Sequence, residues 1–139
     1  MTPSVLLVSD ELTFLLTTYS SLQRDPRIGQ IEATASHDEA IALMQTLRPD
    51  AVVVDVAAND AGGHALVERF RKQDALLAVI VTYRERDQDS MAMIAPTLPA
   101  HDIFPRAAFT VERVVRAVQV LMAHHAAVAS ASVAEAATP

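Results

Sequence analysis

The residues of this 139-residue chain that could do chemistry stand at, or just past, the ends of four short apolar runs. In chain order they are Ser9 and Asp10, Asp55, Thr82, and Arg106. Two acids, a hydroxyl and a cation are the groups that metal-assisted phosphoryl transfer requires, because charge on the transferring group must be offset. Hard oxygen ligands of this kind suit Mg²⁺ or Mn²⁺. The residue types therefore predict phosphoryl chemistry beside a divalent ion, provided that folding brings them together.

Buried strands of a parallel sheet are predicted to position these residues. Runs that are apolar on both sides are typical of strands covered by helices on both faces. The predicted strands are Val5–Val8, Ile31–Ala33, Ala51–Val54, Leu76–Val81 and Asp102–Phe104. In an open α/β sheet, ligands bind at the carboxyl ends of the strands, near the point where the strand order reverses. We therefore expect the candidate residues to meet at one edge of the sheet.

Helical patterns separate the predicted strands. The predicted helices are Leu12–Leu22, a segment opened by Ser36 and closed by Pro49, Ala65–Gln73, and Val111–Met122. Ser36 and Glu39 form a capping-box pattern, in which the hydroxyl and the carboxylate satisfy opposing backbone donors. Between residues 84 and 100, a charge run followed by Pro96 and Pro99 predicts only a short or irregular fourth helix. The repeated alternation of strand and helix predicts a doubly wound α/β sheet with right-handed crossovers.

The composition excludes several classes of protein. The chain has no cysteine, so disulfides, thiolate zinc sites and cysteine nucleophiles are excluded. Its net charge is −6 and its basic residues form no cluster, which argues against direct binding of nucleic acid. No apolar run approaches the roughly 20 residues that span a bilayer, and the first residues lack the basic region of a signal peptide. We therefore expect a cytoplasmic protein that does not enter a membrane.

The length of the chain allows one domain with a proper core and little else. Residues 4–125 carry all the predicted strands and helices, and we expect them to form that domain. The alanine-rich stretch 126–139 has no amphipathic face and no bulky core residue. We expect this stretch to be a flexible tail or a frayed extension of the last helix.

Several segments of the chain resemble bacterial response-regulator receiver domains of the CheY-like type, in the right order and with plausible spacing. These segments are Val5–Glu11, Arg48–Asp55, Asp55–Gly63, Val79–Thr82 and Asp102–Arg106. The resemblance extends from about Ser4 to Met122. It implies a flavodoxin-like (βα)5 fold, a three-layer sandwich around a five-stranded parallel sheet. It also implies a signalling domain rather than an enzyme, with at most self-catalysed phosphorylation and dephosphorylation.

Carried over residue by residue, the resemblance implies a role for each candidate. Asp55 would be the phosphoacceptor that attacks a phosphohistidine on a histidine kinase or a histidine phosphotransfer protein. Thr82 would hydrogen-bond the phosphoryl group, and Arg106 stands at the lysine position of the family. The magnesium or manganese ion would be bound by Asp10, Asp55, the backbone carbonyl of Ala57 and, through water, Ser9. Together, the metal and the cation would offset charge on the transferring group.

Some positions depart from the family pattern. Ser9 replaces an acid, and the loss of one negative charge should lower the metal affinity. Arg106 keeps the charge of the usual lysine but is forked and bulkier. Ala107 replaces the proline that follows the lysine, so we expect the cis peptide bond of the family to be lost. Tyr83 replaces a small residue and could crowd the pocket, and Ile103 replaces the switch aromatic, which argues against a phosphorylation-driven rotamer change.

Structural explanations stay open for three of the candidates. Asp55 could cap the turn that follows its strand, as aspartates often do. Asp10 could be the N-cap of the first helix, a role that does not exclude metal binding. Thr82 could be only a β-branched residue at a strand end. The sequence alone does not choose between these roles and the chemical ones.

Two further side chains near the predicted site also have more than one interpretation. Arg106 could be a surface arginine that pairs with Asp102 or Glu112 instead of serving the site. His64 follows the family's glycine position and could lean over the pocket. A solvent-exposed role for His64 is the simpler interpretation.

The leading functional hypothesis is a receiver domain whose phosphorylation at Asp55 alters its contacts with another protein. The family's usual output face, made of the fourth helix, fifth strand and fifth helix, is the candidate surface for a partner or a homodimer. The alternative is a pseudo-receiver, a docking or dimerisation module independent of phosphorylation, which Ser9, Tyr83, Ile103 and Ala107 favour. A small hydrolase of the same architecture is disfavoured, because the chain has no Gly-x-Ser-x-Gly elbow, dinucleotide fingerprint or P-loop.

Overall fold

The protein is described by a computed structural model that covers the backbone of residues 2–137 and the side chains of residues 2–131. Its strands are β1 (Val5–Val8), β2 (Ile31–Thr34), β3 (Ala51–Asp55), β4 (Ala78–Tyr83) and β5 (Asp102–Pro105). All neighbouring strands pair in parallel, in the order β2-β1-β3-β4-β5. The structure therefore confirms the predicted doubly wound α/β fold with a five-stranded parallel sheet.

Five helices connect the strands and cover the sheet. They are α1 (Leu12–Arg24), α2 (His37–Leu47), α3 (Ala61–Gln73), α4 (Gln88–Ile94) and α5 (Val111–Ala137). Single 3-10 turns precede and follow α4, and another leads from β5 towards α5. Pro96 lies in the turn that follows α4. The short, irregular fourth helix predicted from the prolines is therefore confirmed.

Both faces of the sheet are buried, which explains the uninterrupted apolar runs of the sequence. Every residue of β1, β3 and β4 is buried. Successive strand residues point to opposite faces, so Val54 belongs to the cluster that holds Phe70 of α3 and Met91 of α4. Its neighbour Val53 belongs to the cluster that holds Val114 of α5. Two hydrophobic cores, one on each face, therefore fix the strand ends that carry the candidate site.

Helix α3 begins at Ala61, earlier than the predicted Ala65, because Asp60 caps it. The Asp60 carboxylate accepts a hydrogen bond from the backbone N–H of Gly63 at 2.8 Å. A Cβ atom at Gly63 would lie 2.9 Å from Cγ1 of Val56 and closer still to the Asp60 carboxylate. Glycine is therefore required here for space, which lets the cap approach the helix closely.

Helix α2 starts with only half of the predicted capping box. The Ser36 hydroxyl accepts a hydrogen bond from the Glu39 N–H at 3.2 Å, as expected. The N–H of Ser36 donates to the hydroxyl of Thr34 at 3.0 Å instead of the Glu39 carboxylate. At its other end, α2 stops at Arg48, which adopts a left-handed conformation with φ 48° before Pro49.

Helix α5 is longer than predicted, since residues 126–137 of the expected tail continue it without a break. The final two residues lie outside the described part of the chain, and the domain boundary stays a prediction. By length and composition alone, Val111–Ala131 could cross a membrane. Val114 and Val118, in the first part of this segment, are buried against the sheet, and most of the rest of the segment is exposed.

Candidate functional site

The carboxyl ends of β1, β3 and β4 and the turn after β5 meet at one edge of the sheet. The register of β3 and β4 places Asp55 opposite Thr82, and β1 lies on the other side of β3. A cleft of about 450 Å³ opens at this edge. Its lining includes Asp10, Glu11, Asp55, Ala57, Arg84 and Arg106. Most of the predicted site residues therefore share one cleft, and the remaining two, Ser9 and Thr82, lie behind the Asp55 carboxylate.

The Asp55 carboxylate forms the floor of this cleft, and its side chain is only 2% exposed. Oδ1 accepts hydrogen bonds from the Thr82 hydroxyl at 2.8 Å and from Nε of Arg106 at 2.8 Å. Oδ2 accepts hydrogen bonds from the Ser9 hydroxyl at 3.1 Å and from Nη2 of Arg106. These donors fill the acceptor positions of a carboxylate. All of them are side-chain groups, so the carboxylate does not cap the following turn, and the capping explanation is wrong.

Arg106 holds Asp55 through two neighbouring nitrogens of its guanidinium group, a bidentate arrangement that strengthens and orients the pair. The Arg106 side chain is 20% exposed. Its guanidinium carbon lies 5.4 Å from the ring centroid of Phe14 in α1, within cation–π range. The hydrogen bonds to Asp55 raise the pKa of Arg106 further than burial lowers it, so the group stays charged.

The two surface partners considered for Arg106 are engaged elsewhere. Asp102 pairs with Arg113 at 3.1 Å between Oδ2 and Nη1. Glu112 pairs with Arg27, which lies in the connection between α1 and β2. The explanation of Arg106 as a surface arginine paired with Asp102 or Glu112 is therefore wrong.

Asp10 lies exposed at the mouth of the cleft. The N-cap of α1 is the next residue, Glu11, whose carboxylate accepts hydrogen bonds from the N–H groups of Thr13 at 3.2 Å and Phe14 at 2.7 Å. The hydrogen bond from Phe14 is the main reason that the pKa of Glu11 is lowered. The proposal that Asp10 caps the first helix is therefore wrong, and Asp10 is left facing solvent.

The backbone carbonyl of Ala57 accepts two hydrogen bonds inside the β3–α3 connection. The Asp60 N–H donates to it at 3.2 Å. Nε2 of His64 lies 3.1 Å from the same oxygen and donates when that nitrogen carries the proton. A carbonyl oxygen has two lone pairs, so both are used in the tautomer that carries the proton on Nε2. The expectation of a solvent-exposed His64 is wrong, because its ring is half-buried and leans back over this loop.

Comparison with protein families agrees with this geometry. The family model described as "Response regulator receiver domain" matches residues 5–119, most of the chain. This chain belongs to the response regulator receiver domain family. Receiver domains are signalling domains rather than classical enzymes.

Two curated relatives of this receiver domain are transcriptional regulatory proteins by name. Virulence transcriptional regulatory protein PhoP of Salmonella choleraesuis is 31% identical over 127 residues, 91% of this chain and 54% of the relative. Transcriptional regulatory protein AfsQ1 of Streptomyces coelicolor is 30% identical over 87 residues, 63% of this chain and 38% of the relative. The chain therefore spans about half, or less, of the length of these relatives.

Solved structures show the same fold as this receiver domain. A CheY-like response regulator receiver domain protein of Methanospirillum hungatei has a TM-score of 0.72 at 15% identity, covering 89% of this chain and 99% of its own. A response regulator of Thermotoga maritima has a TM-score of 0.71 at 22% identity, covering 86% of this chain and 99% of its own. At these identities the similarity is evidence for the CheY-like architecture alone.

Receiver domains generally bind Mg²⁺ at this acidic corner. Here Asp10, Asp55 and the Ala57 carbonyl supply hard oxygens of the kind that Mg²⁺ prefers. The lone pairs of Asp55 and Ala57 are already used, however, and the Ser9 hydroxyl both donates to Asp55 and accepts from the Glu11 N–H at 3.1 Å. Among the described residues, no three His, Asp or Glu side chains are grouped to hold a metal ion. As arranged, these donors do not fit a metal ion, although their chemistry suits one.

Tyr83 does not crowd the cleft of this receiver domain. Its side chain is buried in the hydrophobic cluster that also contains Met91 and Leu98, away from the cleft lining. Ile103, at the switch position, is half-buried against the same cluster. The peptide bonds of the described residues are all trans, including the one before Ala107. The expected crowding by Tyr83 is therefore wrong, and the expected loss of the cis peptide bond is confirmed.

Three residues that shape the site were missed by the sequence reasoning. Glu11 caps α1, and its position directly before the helical stripe made it as good a capping candidate as its neighbour. Arg84, in the charge run before α4, lines the cleft, and its Nη2 lies 3.6 Å from Oδ2 of Asp87. Phe14 supports Arg106 by its ring face, and no sequence signal indicates that contact.

A larger concave region lies elsewhere on the receiver domain. It has a volume of about 770 Å³ and is bounded by the end of α3, the start of β5 and α5. Its wall combines arginines, such as Arg71 and Arg116, with apolar side chains such as Val120, and its acid Asp102 is paired with Arg113. Because this region lacks a free carboxylate beside a hydroxyl, it does not compete with the smaller cleft as a site of phosphoryl chemistry.

Proposed function

We propose that this receiver domain accepts a phosphoryl group on Asp55 from a histidine kinase or a histidine phosphotransfer protein, in the cytoplasm. One observation carries the proposal: the Asp55 carboxylate, at the carboxyl edge of the sheet, accepts 2.8 Å hydrogen bonds from both Thr82 and Arg106. A nucleophile, a hydroxyl donor and a fixed cation on one cleft are the protein groups that phosphoryl transfer uses.

In the proposed reaction, an oxygen of Asp55 attacks the phosphorus of a phosphohistidine. The new O–P bond forms as the P–N bond breaks, and the electron pair of the broken bond returns to the imidazole nitrogen of the donor. The Thr82 hydroxyl, which already donates to Oδ1, turns to a phosphoryl oxygen. Arg106 offsets the charge that builds up on the phosphoryl group. One of the two hydrogen bonds from Arg106 to Asp55 must break first, because the attacking oxygen needs a free lone pair.

The response would be a change in protein contacts. Phosphorylation adds about two negative charges at the cleft, which can bias a neighbouring loop and helix between two arrangements. The face made of α4, β5 and α5 carries exposed apolar side chains, among them Met93, which is 82% exposed, and Val120. We propose this face as the binding surface for a partner protein or for a second copy of the chain. Direct binding of nucleic acid by this domain is not part of the proposal, since its net charge is −6.

A second candidate function is a docking or dimerisation module that does not need phosphorylation. The observation that favours it is the closed state of the acceptor: the Asp55 side chain is 2% exposed and all its acceptor positions are used. A site of this kind would hold one permanent conformation, and the fold would serve only to present the α4–β5–α5 face.

Phosphorylation of the purified chain separates the two functions. The protein is incubated with acetyl phosphate or phosphoramidate, with and without Mg²⁺, and its intact mass is measured. The first proposal expects a gain of one phosphoryl group that Asp55→Asn abolishes. Asp60→Asn is the matched control, because it neutralises another carboxylate of the cleft while asparagine still caps α3.

Two results would count against phosphorylation at Asp55. A mass gain that persists in Asp55→Asn would show that another residue accepts the phosphoryl group. No gain from either donor, nor from a phosphorylated histidine phosphotransfer protein, would leave the docking module as the function.

A further inference from the structure

The charge that a metal ion would bring to this cleft is already supplied by a side chain. We propose that Arg106 is the resident cation of the site and replaces the divalent metal, so that the wild-type domain binds Mg²⁺ poorly and Asp55 is phosphorylated without it. The inference rests on the proposed function, since it concerns the same acceptor. It also predicts metal binding behaviour that can be measured with no phosphodonor present.

The fork of Arg106 leaves no oxygen of Asp55 for a metal ion. Nε and Nη2 reach different oxygens of the carboxylate, and Thr82 and Ser9 take the remaining positions. A lysine at this position would be a compact point charge that reaches one side of the carboxylate and leaves the other side open. The forked shape, and not the positive charge alone, is therefore what excludes the ion.

The charges next to the Asp55 carboxylate also disfavour a divalent ion at this position. Ser9 is buried and neutral, so the carboxylate of Asp55 is matched one to one by the guanidinium of Arg106. A divalent ion beside Asp55 would face that guanidinium, and Arg84 stands on the wall of the same cleft. Glu11 and Asp60 also line the cleft, but their carboxylates cap α1 and α3. Asp10 is the exposed carboxylate without a capping role, and a single carboxylate with waters is a weak magnesium site.

Aromatic packing holds Arg106 in this position. The guanidinium carbon lies 5.4 Å from the centre of the Phe14 ring. Phe14 in turn meets Phe109 edge to face, with ring centroids 6.3 Å apart. Because an arginine cannot lose its proton in a protein, the guanidinium leaves Asp55 only by moving off this platform. Arg106 therefore competes with a metal ion for the carboxylate of Asp55.

The loop that would complete a metal site is also closed. The Ala57 carbonyl bonds the Asp60 N–H and His64 Nε2, so a bound ion would have to displace one of them. This second barrier does not depend on Arg106. A variant in which Arg106 alone is changed should therefore recover part, and not all, of the metal affinity of a site with free ligands.

The test is a metal titration of the full chain and of two arginine variants. Arg106→Lys keeps the charge but removes the fork. Arg113→Lys is the matched control, because Arg113 also pairs with a carboxylate, that of Asp102, and stacks on an aromatic ring, 4.1 Å from the centroid of Phe104, outside the cleft. Binding is measured by the rise in Tm with Mg²⁺ and by broadening of backbone amide NMR signals by Mn²⁺. Each variant is compared with its own metal-free Tm, so a loss of stability does not obscure the result.

The wild-type chain and Arg113→Lys should show no Mg²⁺-dependent rise in Tm, and Mn²⁺ should not broaden the Asp55 amide selectively. Arg106→Lys should bind Mg²⁺ roughly tenfold more tightly than the wild type, the reverse of the loss that follows when a group supporting a metal site is removed. If Arg106→Lys is too unstable to purify, Phe14→Leu loosens the same guanidinium without touching the charges and should also increase Mg²⁺ affinity.

Equal Mg²⁺ affinity of the wild type and Arg106→Lys would overturn the inference, as would tight binding by the wild type. Phosphorylation by phosphoramidate in EDTA should proceed at the rate seen with Mg²⁺, and strict dependence on the ion would contradict the inference as well. An absence of any phosphorylation, together with the predicted metal titration, would instead refute the proposed phosphoacceptor and leave Arg106 as a competitor of the metal.

Discussion

Replacing Arg106 while Asp55 remains should cost this domain a large part of its stability. In Arg106→Met, Asp55 keeps the hydroxyls of Ser9 and Thr82 but loses both charge-assisted bonds, and its side chain is only 2% exposed. Removing one partner of a buried ion pair costs about 3–5 kcal/mol, because the other charge stays buried and uncompensated. Arg106 itself is 20% exposed, so water can partly reach the vacated space. We therefore expect Arg106→Met to lower the free energy of unfolding by about 3 kcal/mol.

A double-mutant cycle measures how much of that loss comes from the pair. Asp55→Asn should cost less, about 1–2 kcal/mol, because the freed guanidinium can turn towards solvent while a neutral side chain fills the site. In the variant that carries both changes the buried charge is gone. Its loss in free energy of unfolding should therefore be smaller than the sum of the two single losses. A coupling free energy of about 2 kcal/mol is expected for residues in direct contact. The assay is urea unfolding followed by circular dichroism at pH 7, with all four proteins under the same conditions.

Arg113→Met is the control for the loss of an arginine as such. Its pair with Asp102 is well exposed on both sides, and exposed ion pairs contribute about 0–1 kcal/mol. If Arg106→Met costs no more than Arg113→Met, or if the two changes at Asp55 and Arg106 are additive within about 0.5 kcal/mol, the bidentate pair does not form in solution and the reasoning fails.

Three further changes test local features of the fold. Gly63→Ala should destabilise by about 1–3 kcal/mol in urea unfolding, since its Cβ would lie 2.9 Å from a methyl carbon of Val56; an unchanged midpoint would contradict this. Arg48→Gly should raise stability by up to about 1 kcal/mol, because glycine adopts φ 48° without strain, and a lower Tm would refute that reading. Burial, with the nearby Arg71 charge, lowers the pKa of His101 below its unfolded value of about 6.5, so the folded state binds the proton less readily and stability falls as pH drops below that value. His101→Gln should therefore flatten the decline in urea midpoint between about pH 7 and pH 5, and an unchanged slope would exclude this group as its source.

Chain-local features could be predicted from the sequence, and the errors occurred at their boundaries. The strand that carries Asp55 was predicted because a strand buried on both faces must be apolar throughout, whatever its neighbours are. The start of α3 was placed late, because the cap formed by Asp60 depends on a close approach that only Gly63 permits. Asp10 is a possible cap of α1 by sequence, and the structure has Glu11 there, since two adjacent acids are equivalent until the backbone dihedrals are known.

Contacts between distant residues could not be predicted in the same way. By sequence, several acidic residues are possible partners of Arg106. Its pairing with Asp55, 51 residues away, depends on how β4 and β5 pair beside β3. The same holds for Phe14 beneath the guanidinium and for His64 on the Ala57 carbonyl. None of these contacts has a local signature, because each is set by the distance between elements and not by spacing along the chain.

The α/β class, the strand that ends at Asp55 and the polar residues at the edge of the sheet follow from local residue order, because burial on both faces and helical periodicity each leave a pattern along the chain. The pairing of the Asp55 carboxylate with two nitrogens of Arg106 is visible only in the folded structure. The physical reason is that a bidentate ion pair needs two oxygens and two nitrogens within hydrogen-bond distance, and that geometry exists only after the strands have packed into register.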